Sequence, residues 1–115
     1  MIKKLENLEQ FVTVIKENKN VLVDFNATWC GPCRIMGRMI EEIDEEIKDV
    51  VFLKVDTDEF PEVAQKFGVM SIPMMVAFKD GERIHVVHQG KKEDCLIGST
   101  NEDDFIDLLK NTFGL

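Results

Sequence analysis

The feature that most constrains the fold of this chain is a pair of cysteines at the boundary between a strand and a helix. The run Val21-Leu22-Val23-Asp24-Phe25 is short and β-branched, which is typical of a buried strand. A long helix follows from Cys33 to about Ile47, with apolar side chains at helical spacing and glutamates on its other side. Between them stands Trp29-Cys30-Gly31-Pro32-Cys33. The segment therefore predicts a strand, a turn that holds both cysteines, and a helix that starts there.

The remaining segments alternate between helical and strand-like patterns. Helical spacing recurs at residues 8–18, from Pro61 to the stop at Gly68, and in a terminal helix that begins near residues 102–104. Strand-like runs occur at 50–55 and 74–79, and the turn signal Asp80-Gly81 predicts a strand that returns over 84–88. This order predicts a single α/β domain over residues 1–115, with a mixed sheet between helices.

The charge balance argues against several classes of function. The 115 residues carry 22 acidic and 14 basic side chains, for a net charge of −8, whereas nucleic-acid binding needs clustered positive charge. The first residues lack the apolar stretch of a secretory signal, and no apolar run is long enough to span a membrane. We therefore expect a cytoplasmic protein that binds neither nucleic acid nor a membrane. In the reducing cytoplasm, a close cysteine pair is more often catalytic or metal-binding than structural.

The spacing of Cys30 and Cys33 suits dithiol chemistry. Two intervening residues let both sulfurs meet across one helical turn, with Cys30 at the helix N-terminus, where free N–H groups lower a thiol pKa. Pro32 fits the first turn of a helix, and Arg34 adds positive charge nearby. The pattern predicts that the Cys30 thiolate attacks a substrate disulfide and that Cys33 then resolves the mixed disulfide.

Two other interpretations bear on the same residues. A zinc site would need Cys95, His85 and His88 to complete the cysteine pair, and that set has no recognised zinc spacing, so we expect no metal. Asp24 lies among apolar residues, where burial raises the pKa of a carboxyl group and suits it to accept the Cys33 proton. The alternative is that Asp24 is a charge at a strand end that reaches solvent.

Several motifs, in order along the chain, resemble the thioredoxin family. Residues 23–25 and 27–34 are similar to its active-site segment almost letter for letter, and residues 54–59, 67–69, 71–73 and 78–82 resemble later parts of the family sequence. The resemblance implies a thioredoxin fold, with a central mixed sheet of four to five strands and helices on both faces. It also implies a monomeric protein-disulfide reductase without a cofactor, which acts on disulfide-containing client proteins and is re-reduced by a thioredoxin reductase.

The resemblance also implies roles for single residues. Pro73 matches the family's cis-proline, which lies against the active-site disulfide, and the backbone of Ile72 would pair with the extended chain of the substrate. Trp29, Gly31 and Pro32 would contact substrate beside the cysteines. Lys54 matches the lysine partner of the aspartate, although a strand-end lysine that reaches solvent is the alternative.

The chain departs from the family pattern at several positions. Arg38 stands where the family often has a proline that kinks the helix, so we expect a straighter helix. Asn26 and Met74 replace a common tryptophan and a common threonine. An insertion of roughly eight residues lies between Glu82 and Asn101. Either Gly90 or Gly98 could match the glycine that ends the last strand, and we prefer Gly98.

Cys95 lies within this insertion, where the resemblance gives no guidance. We expect a small buried hydrophobe with an unactivated thiol, and the alternative is a partly exposed thiol open to oxidation.

Two rival functions stay open at this point. One is a disulfide oxidase or isomerase of the same fold, and Gly31-Pro32 argues against it because those enzymes usually carry a histidine in the spacer. The other is a binding module without catalytic activity, which the intact cysteine pair disfavours as a sole role.

Overall fold

Eight strands and four helices form the fold, and the computed structural model describes all of residues 1–115. The strands are β1 (Ile2–Lys4), β2 (Asn20–Asn26), β3 (Val51–Asp56), β4 (Met74–Lys79), β5 (Glu82–Ile84), β6 (Val86–His88), β7 (Lys91–Glu93) and β8 (Leu96–Ile97). The helices are α1 (Leu8–Glu17), α2 (Gly31–Glu46), α3 (Pro61–Lys66) and α4 (Glu102–Phe113). The four predicted helices are confirmed, and α2 begins two residues earlier than the sequence indicated. None of them is long and apolar enough to cross a membrane.

The central sheet is mixed, as predicted. Its order is β1-β3-β2-β4, with the first three strands parallel and β4 antiparallel to β2. Two short strands share the outer edge of β4, where β5 pairs with Ala77–Lys79 and β8 pairs with Met74 and Met75. The sheet therefore has six strands, two of which, β5 and β8, share one edge position, whereas the resemblance implied four to five strands.

Helices cover both faces of the sheet, also as predicted. Along β2, Val21, Val23 and Phe25 join the apolar cluster that includes side chains of α1 and α3. Leu22 joins the opposite cluster, which includes side chains of α2 and α4. The period-two alternation places Asp24 on the α2 face as well, although it lies within a strand that is buried from Asn20 to Phe25. This register sets a carboxyl group beneath the helix that begins at the cysteines.

The predicted antiparallel strand that returns after the Asp80-Gly81 turn is present as β5, but its predicted extent over residues 84–88 is wrong. The strand ends at Ile84, and β6 then pairs with β7 in a separate two-stranded sheet. Val86 is fully buried in the cluster that contains α4, and the Val87 N–H donates to the Thr112 hydroxyl at 2.9 Å. Packing against α4 thus draws the chain away from the sheet edge, and residues 85–95 form a separate unit that we call the insertion hairpin.

The N-terminal strand β1 has no counterpart in the sequence-based prediction. It has three residues, two of them lysines, and it pairs with β3 from Ile2 opposite Phe52 to Lys4 opposite Lys54. A segment this short and charged has no apolar periodicity from which a strand could be predicted. It forms a strand because it pairs with β3.

Gly98 ends the last strand of the sheet, as preferred from the sequence. It follows β8 with a φ of +86°, a conformation that glycine adopts without steric cost. Its N–H donates to the carbonyl oxygen of Pro73 at 2.8 Å. The end of the insertion is thereby tied to the segment beside the cysteines.

Candidate active site

Cys30 and Cys33 form a disulfide at the N-terminus of α2, with their Cα atoms 5.2 Å apart. Cys30 is the N-cap residue of the helix, and its sulfur accepts a hydrogen bond from the Cys33 N–H at 3.2 Å. Pro32 occupies the first turn, where no backbone N–H is needed. The free N–H groups and the dipole of α2 are therefore directed at Cys30 and favour its thiolate in the reduced state.

The peptide bond between Ile72 and Pro73 is cis and lies beside this pair. The Cys30 sulfur is 3.9 Å from the carbonyl oxygen of Ile72. Ile72 also packs against the small apolar cluster formed by Ala27 and the two cysteines. The structure thus brings together four of the residues that the sequence singled out.

Several apolar side chains near the cysteines or near the cis-proline segment along the chain and the sheet are exposed, and we call them the apolar surface around the disulfide. Trp29 is 68% exposed, and its indole N–H donates to a carboxylate oxygen of Asp58 at 2.9 Å. Met70 and Ile97 are also exposed, whereas Met75 is part of the core, as predicted. The sequence did not single out Asp58. It lies in the segment 54–59, which was noted only for its resemblance, and nothing in its pattern indicates a partner for the indole.

Asp24 is a buried carboxyl group without a hydrogen-bond partner. Its side chain is 1% exposed, and neither carboxyl oxygen has a partner in the protein. Burial raises the pKa of Asp24 to about 6, while the positive charge of Lys54 and the neighbouring Asn26 amide lower it in part. The alternative of a solvent-exposed charge is wrong, and a group with this pKa exchanges protons near neutral pH.

Lys54 lies next to Asp24 in the sheet, at the paired position on β3. It is half-buried, and its charge is the larger of the two effects that lower the pKa of Asp24. The two residues that the resemblance joined are therefore neighbours in the structure.

A cleft of about 450 Å³ opens along one side of α2 and reaches Cys33. One wall is the helix face that contains Cys33, Arg34, Gly37, Arg38 and Glu41, and the other is formed by residues 26–28 and Lys54. We call it the α2 cleft. The cleft therefore connects solvent with the face of α2 that contains Cys33.

The other three candidate metal ligands do not join the cysteine pair. His85 lies 3.5 Å from a carboxylate oxygen of Asp94 at the base of the insertion hairpin, and no group of three His, Cys, Asp or Glu side chains has the arrangement of a metal site.

Cys95 is half-buried rather than buried, and it packs against the apolar cluster on the α1 and α3 face. Burial raises the pKa of its thiol, the Arg83 charge lowers it, and Asp94 and Glu93 raise it further.

Comparisons with known proteins agree with this geometry. The thioredoxin family model matches residues 2–102. The chain is 36% identical to a thioredoxin of Mycoplasmoides gallisepticum over 109 residues, which cover 95% of this chain and all of that protein. It is 43% identical to Thioredoxin-2 of Pyricularia oryzae over 86 residues, 75% of this chain, and that match spans only half of the relative's length.

Solved structures give the same result. Mitochondrial thioredoxin 3 of Saccharomyces cerevisiae in its oxidised form is 35% identical, with a TM-score of 0.79 over 96% of this chain and 94% of that one. A mutant thioredoxin of Halobacterium salinarum is 30% identical, with a TM-score of 0.83 over 99% of this chain and 92% of that one. The likeness therefore extends from the cysteine motif to the whole fold.

Proposed function

Because the chain belongs to the thioredoxin family, whose members are protein-disulfide oxidoreductases, we propose that it works in the reducing direction, on disulfides of client proteins. The Cys30–Cys33 disulfide at the N-terminus of α2, beside the cis-proline segment, carries the thiol–disulfide exchange, and the spacer Gly31-Pro32, which lacks the histidine usual in oxidases and isomerases, supports the reducing direction. The disulfide is the oxidised state that remains after two electrons have passed to a client.

In the first step, the Cys30 thiolate of the reduced protein attacks one sulfur of the client disulfide. A bond forms between Cys30 and the client, the client's own disulfide breaks, and the second client sulfur leaves as a thiolate. The bond from the Cys33 N–H to the Cys30 sulfur supports this assignment, because it stabilises negative charge at Cys30. Exposure does not separate the two cysteines, since each is 4% exposed.

In the second step, Cys33 loses its proton and attacks the Cys30 sulfur. The mixed disulfide breaks, the client leaves with both sulfurs reduced, and the Cys30–Cys33 disulfide is restored. We assign Asp24 as the acceptor of the Cys33 proton, because its pKa of about 6 leaves it mostly ionised at pH 7 yet close enough to neutrality to exchange the proton. Lys54 would limit the rise of that pKa and so keep Asp24 in the basic form.

The apolar surface around the disulfide suits an extended client segment. The backbone of Ile72 would pair with the client chain, while Trp29, Gly31, Pro32 and Pro73 would contact its side chains. The bond from Trp29 to Asp58 holds the indole ring in place beside the cysteines.

The cellular setting forms part of the proposal. A reductase needs a continuing supply of electrons, which a thioredoxin reductase would provide, and it needs a reducing compartment, for which we propose the cytoplasm. We also propose that the protein acts as a monomer, because the disulfide and the surface around it come from one chain.

An insulin-reduction assay tests the proposal. The purified chain, supplied with NADPH and a thioredoxin reductase, should precipitate insulin by reducing its disulfides, and a chain with both active cysteines changed to serine should not. A measured potential near that of glutaredoxins or above it would contradict the reducing role and favour an oxidase or isomerase. Full biological activity of the double serine variant would instead support a binding module.

A further inference from the structure

The α2 cleft has a local excess of positive charge in an acidic protein. The chain has a net charge of −8, yet Arg34, Arg38 and Lys54 line this cleft with a single carboxylate, Glu41. The three cations make no ion pair with any acidic side chain, since the ion pairs of the protein involve other residues. Arg34 and Arg38 are exposed, so their charges are available to a ligand, whereas the charge of Lys54 also acts on Asp24.

Local contacts hold these cations along the cleft. Arg34 donates from its guanidinium group to the carbonyl oxygen of Thr28 at 2.9 Å, across the mouth of the cleft. The ammonium group of Lys54 lies against α2 at Gly37, since a Cβ at that position would be in van der Waals contact with the lysine Nζ, at 3.5 Å. Arg38 follows Arg34 by one helical turn and is exposed. Arg34 and Arg38 share one face of α2 and Lys54 lies on β3, so all three line the same cleft, which also reaches Cys33.

This inference rests on the proposed function and names a class of substrate for it. We infer that the α2 cleft accepts an acidic side chain of the client, so that the protein prefers disulfides with a nearby Asp or Glu. Arg38 lies five residues beyond Cys33, about 7.5 Å along the helix axis. An extended client chain covers that distance in two to three residues. A carboxylate at that position would form charge-assisted hydrogen bonds with Arg38 and Arg34.

Arg38 is the residue that makes this preference particular to the chain. It stands where the resembling family often has a proline, which carries no charge, and it lies five residues beyond Cys33 along α2. We therefore treat it as a specificity residue for the client and assign it no role in the thiol exchange.

A pair of disulfide peptides tests the inference. The two peptides are identical except at one position, two to three residues from the attacked cysteine, where one has Glu and the other has Gln. We expect the wild type to reduce the Glu peptide about two- to fivefold faster in kcat/KM, as for an exposed to partly buried ion pair. Arg38→Gln should remove most of this preference, and Arg38→Glu should reverse it. Lys16→Gln, an exposed cation on α1 across the sheet, is the matched control and should retain it.

The outcomes separate this inference from the proposed function. Equal rates for both peptides with the wild type, or an unchanged preference in Arg38→Glu, would overturn the inference and leave the reductase function intact. Failure of the wild type to reduce the Gln peptide would contradict the reductase function itself. Rates on the Gln peptide should be the same for the wild type and Arg38→Gln, which shows that the variant folds and exchanges thiols normally.

Discussion

The redox end of the sheet, by which we mean β2, the start of α2 and the Ile72–Pro73 segment, and the insertion hairpin differ in how they are built. At the redox end, the buried strand β2 holds Asp24 in the protein interior, and the chain then leads to the N-terminus of α2, where Cys30 is the N-cap residue. The insertion hairpin has a fully exposed strand, β7, and is attached to α4 mainly through Val86 and the bond from Val87 to Thr112. The difference suggests that the chemistry depends on the first region and that the second adds stability without taking part in the exchange.

The largest expected effect comes from the cysteines. Cys30→Ser should abolish disulfide reduction, because it removes the attacking thiolate, whereas Cys33→Ser should accumulate mixed disulfides with clients, because only the resolving step is lost. Non-reducing gels of a lysate incubated with each variant measure the trapped complexes, and mass spectrometry identifies the clients. Equal trapping by the two variants would show that the roles assigned to Cys30 and Cys33 are wrong.

Asp24→Asn should stabilise the fold and slow turnover. The native pKa of about 6 lies above the ordinary value of 3.8, so the unfolded chain ionises first as the pH rises. The carboxyl group therefore destabilises the native state progressively between about pH 4 and pH 6, by about 3 kcal/mol at pH 7. Chemical unfolding should show a difference between wild type and variant that is small below pH 4 and constant above pH 6.

The kinetic effect of the same substitution follows from the lost proton acceptor. At pH 7 client release should slow by on the order of 10- to 100-fold. The difference in release rate between the wild type and Asp24→Asn should shrink below pH 6, because Asp24 of the wild type is then mostly protonated. Lys54→Gln is a useful companion, since loss of its charge should raise the pKa of Asp24 further and shift the pH profile upward. Identical profiles for all three proteins would exclude Asp24 from the mechanism.

The redox end could be predicted from the sequence because local rules determine it. The β-branched run around Asp24 and the helical spacing after Cys33 each follow from a few neighbouring residues. The cis bond before Pro73 came from the family resemblance, since spacing alone does not indicate a cis peptide.

The hairpin and β1 depend instead on contacts between distant parts of the chain. The sequence predicted that residues 84–88 would continue along β4, because alternation does not distinguish a sheet edge from a hairpin that packs on α4. Asp58 was missed for a similar reason, since its bond to Trp29 joins residues 29 positions apart.

Val86→Ala tests whether the hairpin contributes stability alone. The side chain is fully buried beside α4, so its truncation should cost about 1–3 kcal/mol of unfolding free energy. Val87→Ala, at the half-buried neighbouring position, is the matched control and should cost less. Insulin reduction at a temperature where both variants are folded should equal that of the wild type, and a large loss of turnover would show that the hairpin supports the redox end.

Cys95→Ser should have the smallest effect, although Cys95 is the nearest cysteine in sequence to the cis-proline segment. Its thiol is half-buried against the apolar cluster of the α1 and α3 face, and burial together with Asp94 and Glu93 raises its pKa. A thiol with a raised pKa is mostly protonated at neutral pH, so it competes poorly with the Cys30 thiolate for a client disulfide. Turnover of Cys95→Ser should therefore match the wild type. Alkylation of the reduced protein at pH 7 should label Cys30 well before Cys95, and faster labelling of Cys95 would show that the hairpin places an activated thiol near the redox end.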